Sequence, residues 1–344
     1  MDSAKKVLVT GGAGYIGSHV LIELLADKNA EVISADNFSN STPGVFDRLK
    51  QITGKEVRNY NVNLCDAVRT NDIFEKEKNI EAIMHFAAYK SVPDSVADPE
   101  KYFNNNNGSL RNMLDAAKKH GVKYFIFSSS CSVYGNISRL PVNELTPIGM
   151  AESPYAQTKQ DGEQMLQRFA KQNHDVKCIS LRYFNPVGAH PSGLNGESPL
   201  NPPQNLVPVI TGVAIGRIKE LLVHGSDYNT RDGTCIRDYI HVCDIAAAHV
   251  KALQFMEKEN SGENHFLVNL GSGEGVSVLE AIKAFEKVSG LKLNYRIGPR
   301  RAGDVEAIYS DCSTAEKLLG WKPRYSIEDM MSTAWKWEQE RSRS

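Results

Sequence analysis

A short apolar segment that runs into a glycine-spaced turn and then an amphipathic helix is the feature that most constrains the fold of this chain. Residues 5–10 are mostly aliphatic or β-branched, and Gly11, Gly14 and Gly17 follow them at three-residue spacing. Apolar residues then recur at helical spacing through 20–25. Glycines let a backbone turn sharply and approach a pyrophosphate, which rests at the positive end of the following helix. The stretch therefore predicts the first strand, turn and helix of a dinucleotide-binding unit.

An acidic residue closes the second predicted strand at the distance that such a unit requires. Residues 31–35, EVISA, form the predicted strand, and Asp36 follows them directly. A carboxylate at this place accepts hydrogen bonds from the hydroxyls of the adenosine ribose and repels a 2′-phosphate. We therefore expect NAD rather than NADP as the cofactor. The alternative is an ordinary turn aspartate after a strand.

Apolar segments alternate with helical patterns along the first half of the chain. Strands are predicted near 57–62, 82–85, 124–127 and 176–182, with helices around 73–78, through 110–114 and up to about 171. This alternation is typical of a parallel sheet covered by helices on both faces. The predicted fold class is α/β, a doubly wound Rossmann sheet over 1–185.

The second half of the chain changes composition. Residues 193–203 are rich in Gly, Pro, Ser and Asn and predict a loop. Helices are expected over 205–216 and 245–256, the second one capped by Asp244. A strand at 265–270 is suited to rejoin the main sheet. Residues 186–344 are thus expected to form a smaller, discontinuous α/β substrate domain, with returns to the first domain near 238–270.

The stretch Ser153-Pro154-Tyr155-Ala156-Gln157-Thr158-Lys159 predicts a helix start that holds a tyrosine as a base. Serine is a good N-cap, and proline suits the first helical position. Tyr155 and Lys159 then lie four residues apart on one face. Lowering a tyrosine pKa from about 10 to about 7 requires roughly 4 kcal/mol, so a second cation such as an oxidised nicotinamide must assist the lysine. The alternative is a surface Tyr and Lys on an amphipathic helix.

Polar residues follow two further predicted strands, at the edge where a ligand would lie. Lys90 could meet a phosphate or ribose, or could be a solvated loop lysine. The asparagine run 104–107 is expected partly to cap the next helix, with one or two amides reaching the cofactor. A serine hydroxyl of the cluster 128–132 could share the proton of a substrate hydroxyl with Tyr155.

Composition excludes several other classes of protein. The net charge is −1 without a long basic run, which argues against a nucleic-acid or anionic-membrane surface. The 6 cysteines are scattered and the 9 histidines show no metal-ligand spacing, so we expect reduced thiols and no metal. The apolar run near the N-terminus is too short for a signal peptide or membrane span, and we expect a cytoplasmic protein.

These motifs, in this order, resemble those of the extended short-chain dehydrogenase/reductase family. Residues 10–19, TGGAGYIGSH, are similar to its fingerprint, and the serine cluster and YxxxK follow. The blocks 183–191 and 237–242 narrow the resemblance to the UDP-galactose 4-epimerases, and it extends to about Trp337. Related dehydratases carry an acidic residue just after the active-site serines, where this chain has Cys131 and Ser132. That departure counts against a dehydratase.

The resemblance implies an NAD-dependent 4-epimerase that interconverts UDP-glucose and UDP-galactose through a transient 4-keto sugar. Tyr155 would take the proton of the 4-hydroxyl group, Lys159 would stabilise the phenolate, and Ser130 would hydrogen-bond the same oxygen. The implied cofactor-binding residues are Gly11, Gly14, Tyr15, Ile16, Gly17, Asp36, Asn37, Asn40, Asn63, Leu64, Phe86, Lys90, Asn105, Tyr155, Lys159 and Phe184.

The implied substrate-binding residues are Ser130, Asn185, Asn205, Leu206, His224, Arg237, Arg301 and Asp304. Arg237 and Arg301 would hold the diphosphate, because a planar guanidinium donates paired hydrogen bonds. Without the resemblance, surface or interface ion pairs would explain these arginines equally well. The amides and Asp304 would hold the sugar or uridine.

Three positions depart from the pattern of the family. Asn63 stands where an aspartate is common at the adenine, and His224 stands where an aromatic ring often packs on uracil. Ile308, or its neighbour Tyr309, aligns with the position whose bulk governs entry of N-acetylated sugars. Epimerisation of UDP-N-acetylglucosamine or of UDP-pentoses is therefore an alternative. A catalytically idle module that senses NAD or nucleotide sugars is a more remote one.

The resemblance also implies a homodimer. The two helices expected to form its two-fold interface lie within 107–119 and 155–169.

Overall fold

The computed structural model describes residues 4–28, 30–301 and 304–343. Its strands are β1 (Lys5–Thr10), β2 (Ala30–Ala35), β3 (Arg58–Tyr60), β4 (Ile80–His85), β5 (Tyr124–Ser130), β6 (Lys177–Tyr183), β7 (Asn185–Val187), β8 (Leu221–His224), β9 (Ile236–His241), β10 (His265–Leu270), β11 (Gly275–Ser277), β12 (Tyr295–Gly298) and β13 (Ala307–Ile308).

The helices are α1 (Tyr15–Ala26), α2 (Gly44–Thr53), α3 (Ala67–Lys76), α4 (Val92–Ala97), α5 (Pro99–Tyr102), α6 (Gly108–His120), α7 (Pro154–Gln172), α8 (Leu206–Ala214), α9 (Val242–Lys258), α10 (Val278–Ser289), α11 (Ser313–Leu319) and α12 (Ile327–Arg341). A π-helical turn, Phe103–Asn107, leads into α6, and a 3₁₀ turn, Cys131–Tyr134, follows β5. Within the described ranges, no helix combines the length and the apolar character needed to cross a membrane.

Seven parallel strands form the main sheet, in the order β10-β6-β5-β4-β1-β2-β3. The chain runs outward from β1 to β3 and then returns to β4 on the other side of β1. This reversal opens a crevice at the carboxyl ends of β1 and β4, which is where ligands bind in open α/β sheets. The predicted doubly wound sheet is confirmed, and residues 265–270 rejoin it as expected.

Both faces of the main sheet are buried, because alternate strand residues point to opposite sides. Val7 and Val9 pack with apolar residues of α1, α2, α9 and α11 on one face. Leu8 packs with those of α3, α6 and α7 on the other. The helix that carries Tyr155 therefore rests on the second face, with its amino end at the crevice.

A second unit is formed by residues that come before and after β10 in the chain. The strands β7, β11 and β13 pair with β9, and β12 pairs with β8. A separate apolar cluster holds α8, α10 and α12 against these strands. The assignment of 186–344 as a distinct substrate domain stays a prediction.

Four local predictions are wrong in detail. The strand expected over 57–62 is confined to Arg58–Tyr60, and the helix expected over 73–78 begins at Ala67, where the Asp66 side chain caps it. The helix expected over 205–216 ends at Ala214. In the asparagine run, none of the side chains caps α6, because the π-helical turn makes the backbone helical before Gly108.

Asp244 does not cap α9. That helix begins at Val242, and its N-cap is His241, whose ring accepts a hydrogen bond from the Cys243 amide. The Asp244 carboxylate is fully buried and accepts from the backbone amides of Arg324 and Tyr325. It thus joins α9 to the segment before α12.

Candidate active site

The glycine turn after β1 is packed too closely for side chains. Gly11 has φ of +70°, and a Cβ atom there would lie 2.8 Å from the Ala87 nitrogen. A Cβ atom on Gly17 would lie 2.3 Å from the Gly11 carbonyl oxygen. Gly14 is the N-cap of α1, and no side chain caps this helix end. The amino end of α1 is therefore open to an anionic group, as a dinucleotide pyrophosphate requires.

The Asp36 carboxylate is oriented by the backbone at the end of β2. One oxygen accepts from the Ala13 amide at 2.9 Å, and the other accepts from the Phe38 amide at 2.8 Å and the Ser41 hydroxyl at 3.1 Å. The side chain is half-buried beside the glycine turn. These contacts hold a negative charge at the place expected for the adenosine ribose.

Residues expected around the adenine lie at the ends of β2 and β3. Asn37, Asn40 and Asn63 are exposed, whereas Leu64 is buried. The Asn63 side-chain oxygen accepts from the Cys65 amide at 3.0 Å. Because that oxygen closes its own turn, the amide NH₂ group of Asn63 is the part that faces outward.

A single carboxylate brings together two predicted residues from opposite sides of the crevice. Lys90 donates to Glu197 at 2.8 Å, and the Asn205 amide donates to the same oxygen at 3.1 Å. The Glu197 side chain is 12 % exposed. The Lys90 ammonium also lies 5.8 Å from the ring centroid of Tyr15, whose hydroxyl donates to the Gly188 carbonyl. Lys90 is thus an ion-pair partner rather than a free loop lysine.

The π-helical turn places its asparagines beside the helix that carries Tyr155. Asn106 is buried; its amide donates to the Tyr89 carbonyl and the Thr158 hydroxyl, and its oxygen accepts from the Tyr89 amide. Asn105 is half-buried and donates to Asn106 at 3.0 Å. π-Helical turns are frequent at functional sites. Asn105 therefore lies on a backbone that Asn106 holds, and its contact with the cofactor stays a prediction.

Ser130, Tyr155 and Lys159 meet where β5 ends and α7 begins. The Ser153 side chain caps α7 and Pro154 occupies its first turn, as predicted. The Lys159 ammonium donates to the Ser128 carbonyl at 2.6 Å and lies 5.8 Å from the Tyr155 ring centroid. Its side chain is buried, so its charge acts with little solvent screening.

Burial, not the lysine, dominates the protonation of Tyr155 in the protein alone. Desolvation raises the pKa of Tyr155 to about 12, although a hydrogen bond with Ser130 lowers it. Burial lowers the pKa of Lys159 to about 8, against the influence of Glu163. The expectation that Lys159 and an oxidised nicotinamide together lower the pKa of Tyr155 stays a prediction.

The remaining substrate residues come from the second unit. The Asn185 side-chain oxygen is buried with no hydrogen-bond partner among the described residues. Arg237, on β9, forms an ion pair with Asp304 at 3.4 Å, and Arg301 is half-buried in the same loop as Asp304. Buried polar atoms are normally satisfied, so the Asn185 oxygen is free to accept a hydrogen bond, and its role toward a substrate stays a prediction.

Other predicted residues lie on further elements of the second unit and at the end of the main sheet. Leu206 begins α8, His224 ends β8, and neither side chain hydrogen-bonds the other predicted substrate residues in the part of the chain described. Phe184 and Ile308 are buried together in an apolar cluster with Val133. Tyr309 lies against Gly275 instead. Ile308, rather than Tyr309, thus shares the cluster at the end of β5.

Sequence reasoning missed Glu197, Asn106, and the buried pair of Glu163 and Arg182. Glu163 stands four residues after Lys159, so helical spacing could have indicated it. Glu197 lies in an irregular loop without a motif, and no local signal indicated it. Among the described residues, no group of three or more His, Cys, Asp or Glu side chains could hold a metal ion.

Comparisons with known proteins show the family and the fold of this chain. The family model described as GDP-mannose 4,6 dehydratase matches residues 8–334. The UDP-glucose 4-epimerase of Bacillus subtilis (strain 168) is 45% identical over 332 residues, covering 96% of each chain.

Solved structures extend the similarity to three dimensions. The UDP-glucose 4-epimerase of Bifidobacterium longum, in complex with NAD⁺ and UDP, is 47% identical with a TM-score of 0.93, covering 98% of this chain and 99% of that one. That of Stenotrophomonas maltophila, with bound NAD and formylated UDP-arabinopyranose, is 43% identical with a TM-score of 0.94 and the same coverage. The chain therefore belongs to the UDP-glucose 4-epimerase family of the extended short-chain dehydrogenases/reductases.

Proposed function

We propose that this protein is an NAD-dependent 4-epimerase that interconverts UDP-glucose and UDP-galactose. The observation that carries the proposal is the convergence of Ser130, Tyr155 and Lys159 beside an open glycine turn. Family membership supports the same substrate pair. A hydroxyl, a phenol and a buried ammonium at one point suit reversible proton transfer at a sugar hydroxyl group.

The residues at the crevice fit a dinucleotide. The amino end of α1 would receive its pyrophosphate, Asp36 its adenosine ribose, and Lys90, Asn105, Phe86 and Phe184 would lie toward its other end. When bound, NAD supplies the hydride acceptor at carbon 4 and a positive ring charge in its oxidised form. Tyr15, Ile16, Asn37, Asn40, Asn63 and Leu64 complete the proposed set.

Tyr155 is proposed as the proton acceptor for the sugar 4-hydroxyl group. Its burial holds the phenol protonated, so a nearby positive charge must lower its pKa before it acts as a base. Lys159 supplies part of that charge from a fixed position on the Ser128 carbonyl. Ser130 hydrogen-bonds the phenol and would also hydrogen-bond the sugar oxygen at carbon 4, whose proton passes to Tyr155 when the 4-keto sugar forms and returns when it is reduced.

The second unit is proposed to hold the nucleotide while the sugar turns. Arg237 and Arg301 would contact the diphosphate, and Asp304 keeps Arg237 in place. The unpaired oxygen of Asn185 would accept from the sugar or uridine. Asn205, Leu206 and His224 complete this set, within a proposed substrate domain of 186–344.

Turnover of UDP-galactose by the purified protein tests the proposal. An ultraviolet spectrum before and after addition of UDP-galactose reports the redox state of bound NAD, and chromatography identifies UDP-glucose as the expected product. Bound NAD with no conversion of either sugar would instead favour a nucleotide-sugar sensor.

UDP-pentose epimerisation is a second candidate, and one observation favours it. The Stenotrophomonas maltophila relative is described with formylated UDP-arabinopyranose bound. Ile308 is smaller than tyrosine and lies in the cluster of Phe184 and Val133, so it would leave room for varied sugars, N-acetylated ones included. Comparing kcat/KM for UDP-galactose, UDP-xylose and UDP-N-acetylglucosamine separates these candidates.

We also propose a cytoplasmic homodimer joined through α6 and α7. Family resemblance supports this arrangement. Sedimentation of the purified protein tests it, with a particle of about twice the chain mass as the expected result.

A further inference from the structure

A buried carboxylate lies one helical turn beyond Lys159 on α7. Tyr155, Lys159 and Glu163 are spaced by four residues, so their side chains follow one face of the helix. The Ser129 hydroxyl donates to Glu163 at 2.5 Å, next to the serine that meets Tyr155. Three consecutive serines at the end of β5, residues 128–130, thus hydrogen-bond side chains on successive turns of α7.

Arg182 on β6 holds this carboxylate from its other side. Its Nε donates to one oxygen of Glu163 at 2.8 Å, and its Nη2 donates to the other at 2.7 Å. Nη1 donates to the Tyr134 hydroxyl at 3.0 Å, and that hydroxyl donates to Asn269 at 2.7 Å. The side chains of Arg182 and Glu163 are 1% and 6% exposed. The carboxylate is therefore bidentate, fixed and shielded from water.

The charges that face Lys159 come from few groups. His85 faces it from β4 and is neutral, because burial and Lys159 lower the pKa of His85 to about 3. Tyr155 faces it from α7 as a neutral phenol, and β5 contributes two uncharged groups, the Ser128 carbonyl oxygen and the Phe127 ring at 5.1 Å. Among the described residues, Glu163 is the acidic side chain whose charge acts on Lys159, and its effect is to favour the ammonium.

We propose that Glu163, which Ser129 and Arg182 hold in place, is a positioning residue. It fixes the position of α7 along β5, and its negative charge keeps Lys159 protonated beside Tyr155. This inference rests on the proposed epimerase function, because a charged lysine matters only if Tyr155 serves as the base. Arg182 has two effects in this arrangement. It fixes the carboxylate, and its own positive charge offsets part of the field of Glu163 at Lys159.

Two isosteric substitutions should shift the pH profile of turnover in opposite directions. Glu163→Gln removes the negative charge near Lys159 and should lower the pKa of Lys159. The basic limb of the pH profile of kcat should therefore move about one pH unit lower. Arg182→Gln keeps the carboxylate and removes the opposing cation, so the limb should move higher. A merely structural role predicts lower activity in both variants with an unmoved limb, and that result would overturn the proposal.

Folding and electrostatics are separated by further variants. Glu163→Gln leaves Arg182 buried without its partner, so the double variant Glu163→Gln/Arg182→Gln is included, with a smaller downward shift expected. Glu338→Gln is the matched control, since Glu338 is a buried carboxylate paired with Arg217 away from this site. Its basic limb should stay unchanged, and a shift equal to that of Glu163→Gln would contradict a specific role.

Direct titration of Lys159 distinguishes this inference from the proposed reaction. In protein labelled at the lysine Cε carbons, the Lys159 resonance is assigned by its loss in Lys159→Arg. Its NMR titration should move to lower pH in Glu163→Gln and to higher pH in Arg182→Gln, whether or not the protein turns over UDP-galactose. Titration shifts without turnover would refute the epimerase proposal alone, whereas unchanged titration would refute the role of Glu163.

Discussion

At the scale of single residues, burial and local charge decide what Tyr155 can do. Desolvation raises the pKa of the Tyr155 phenol to about 12. Burial lowers the pKa of the Lys159 ammonium to about 8. Desolvation raises the pKa of the tyrosine, the hydrogen bond with Ser130 lowers it, and desolvation prevails in the protein alone. The base must therefore be activated by what binds next to it.

Tyr155→Phe should retain NAD and lose turnover by a factor of about 10² to 10⁴, the usual contribution of general base catalysis. Tyr124→Phe is the control, because Tyr124 begins the strand that Ser130 ends and should leave turnover near normal. Steady-state kinetics and the ultraviolet spectrum of bound cofactor measure both effects. Near-normal turnover in Tyr155→Phe would require another base.

Asp36→Ala should weaken NAD binding and admit NADP, since the carboxylate faces the proposed ribose position. Asp36→Asn is the matched variant: its single side-chain oxygen can still accept from one of the two backbone amides, of Ala13 or of Phe38, but it lacks the charge that repels a 2′-phosphate. Calorimetric titration with each dinucleotide measures the preference. An unchanged ratio of affinities in both variants would refute the ribose assignment.

At the scale of elements, the start of α7 positions the reacting group. Ser153 accepts from the Ala156 amide at 3.2 Å, and Tyr155 lies in the turn that this bond closes. A helix end frays first when its cap is lost. Loss of the Ser153 cap should therefore loosen the turn that carries Tyr155.

Ser153→Ala should lower the free energy of unfolding by about 1 kcal/mol and also lower kcat several-fold. Ser326→Ala removes the equivalent cap of α12, where Ser326 accepts from the Asp329 amide at 3.2 Å. It should cost similar stability without affecting kcat. Denaturant unfolding and kinetics on both variants provide the test, and equal losses of kcat would contradict a local effect on Tyr155.

At the scale of the whole molecule, four buried histidines connect stability to pH. Burial lowers the pKa of His19 and His249 to about 4, and that of His85 and His241 to about 3. The folded state therefore keeps them neutral where the unfolded chain, with histidine pKa near 6.5, binds protons. Their contribution to the free energy of unfolding is complete above about pH 6.5 and is lost as the pH falls.

The free energy of unfolding should fall between pH 6 and pH 4 by up to about 1.4 kcal/mol per pH unit for each such histidine. His249→Gln, which removes one titrating group, should reduce that slope. Urea titrations across this pH range measure it. A flat profile would contradict the neutral, buried state of these rings.

Much of the fold and part of the candidate site could be predicted because they depend on neighbours in the chain. Residues 5–17 specify strand, turn and helix through side-chain size alone, and Asp36 follows its strand directly. The start of α7 depends on Ser153 and Pro154, which act within one turn. The π-helical turn and the role of Asp244 escaped prediction, because distant packing outweighed local propensity there.

The sequence by itself determined the order of strands and helices, the open glycine turn, and the spacing of Tyr155 from Lys159. Only the tertiary structure decided which of these groups are desolvated and which charges they face. Glu197 reaches Lys90 across 107 residues of chain, and Ser129 reaches Glu163 across 34. Such partners meet through the packing of sheet and helices, and burial then sets the protonation states on which the chemistry depends.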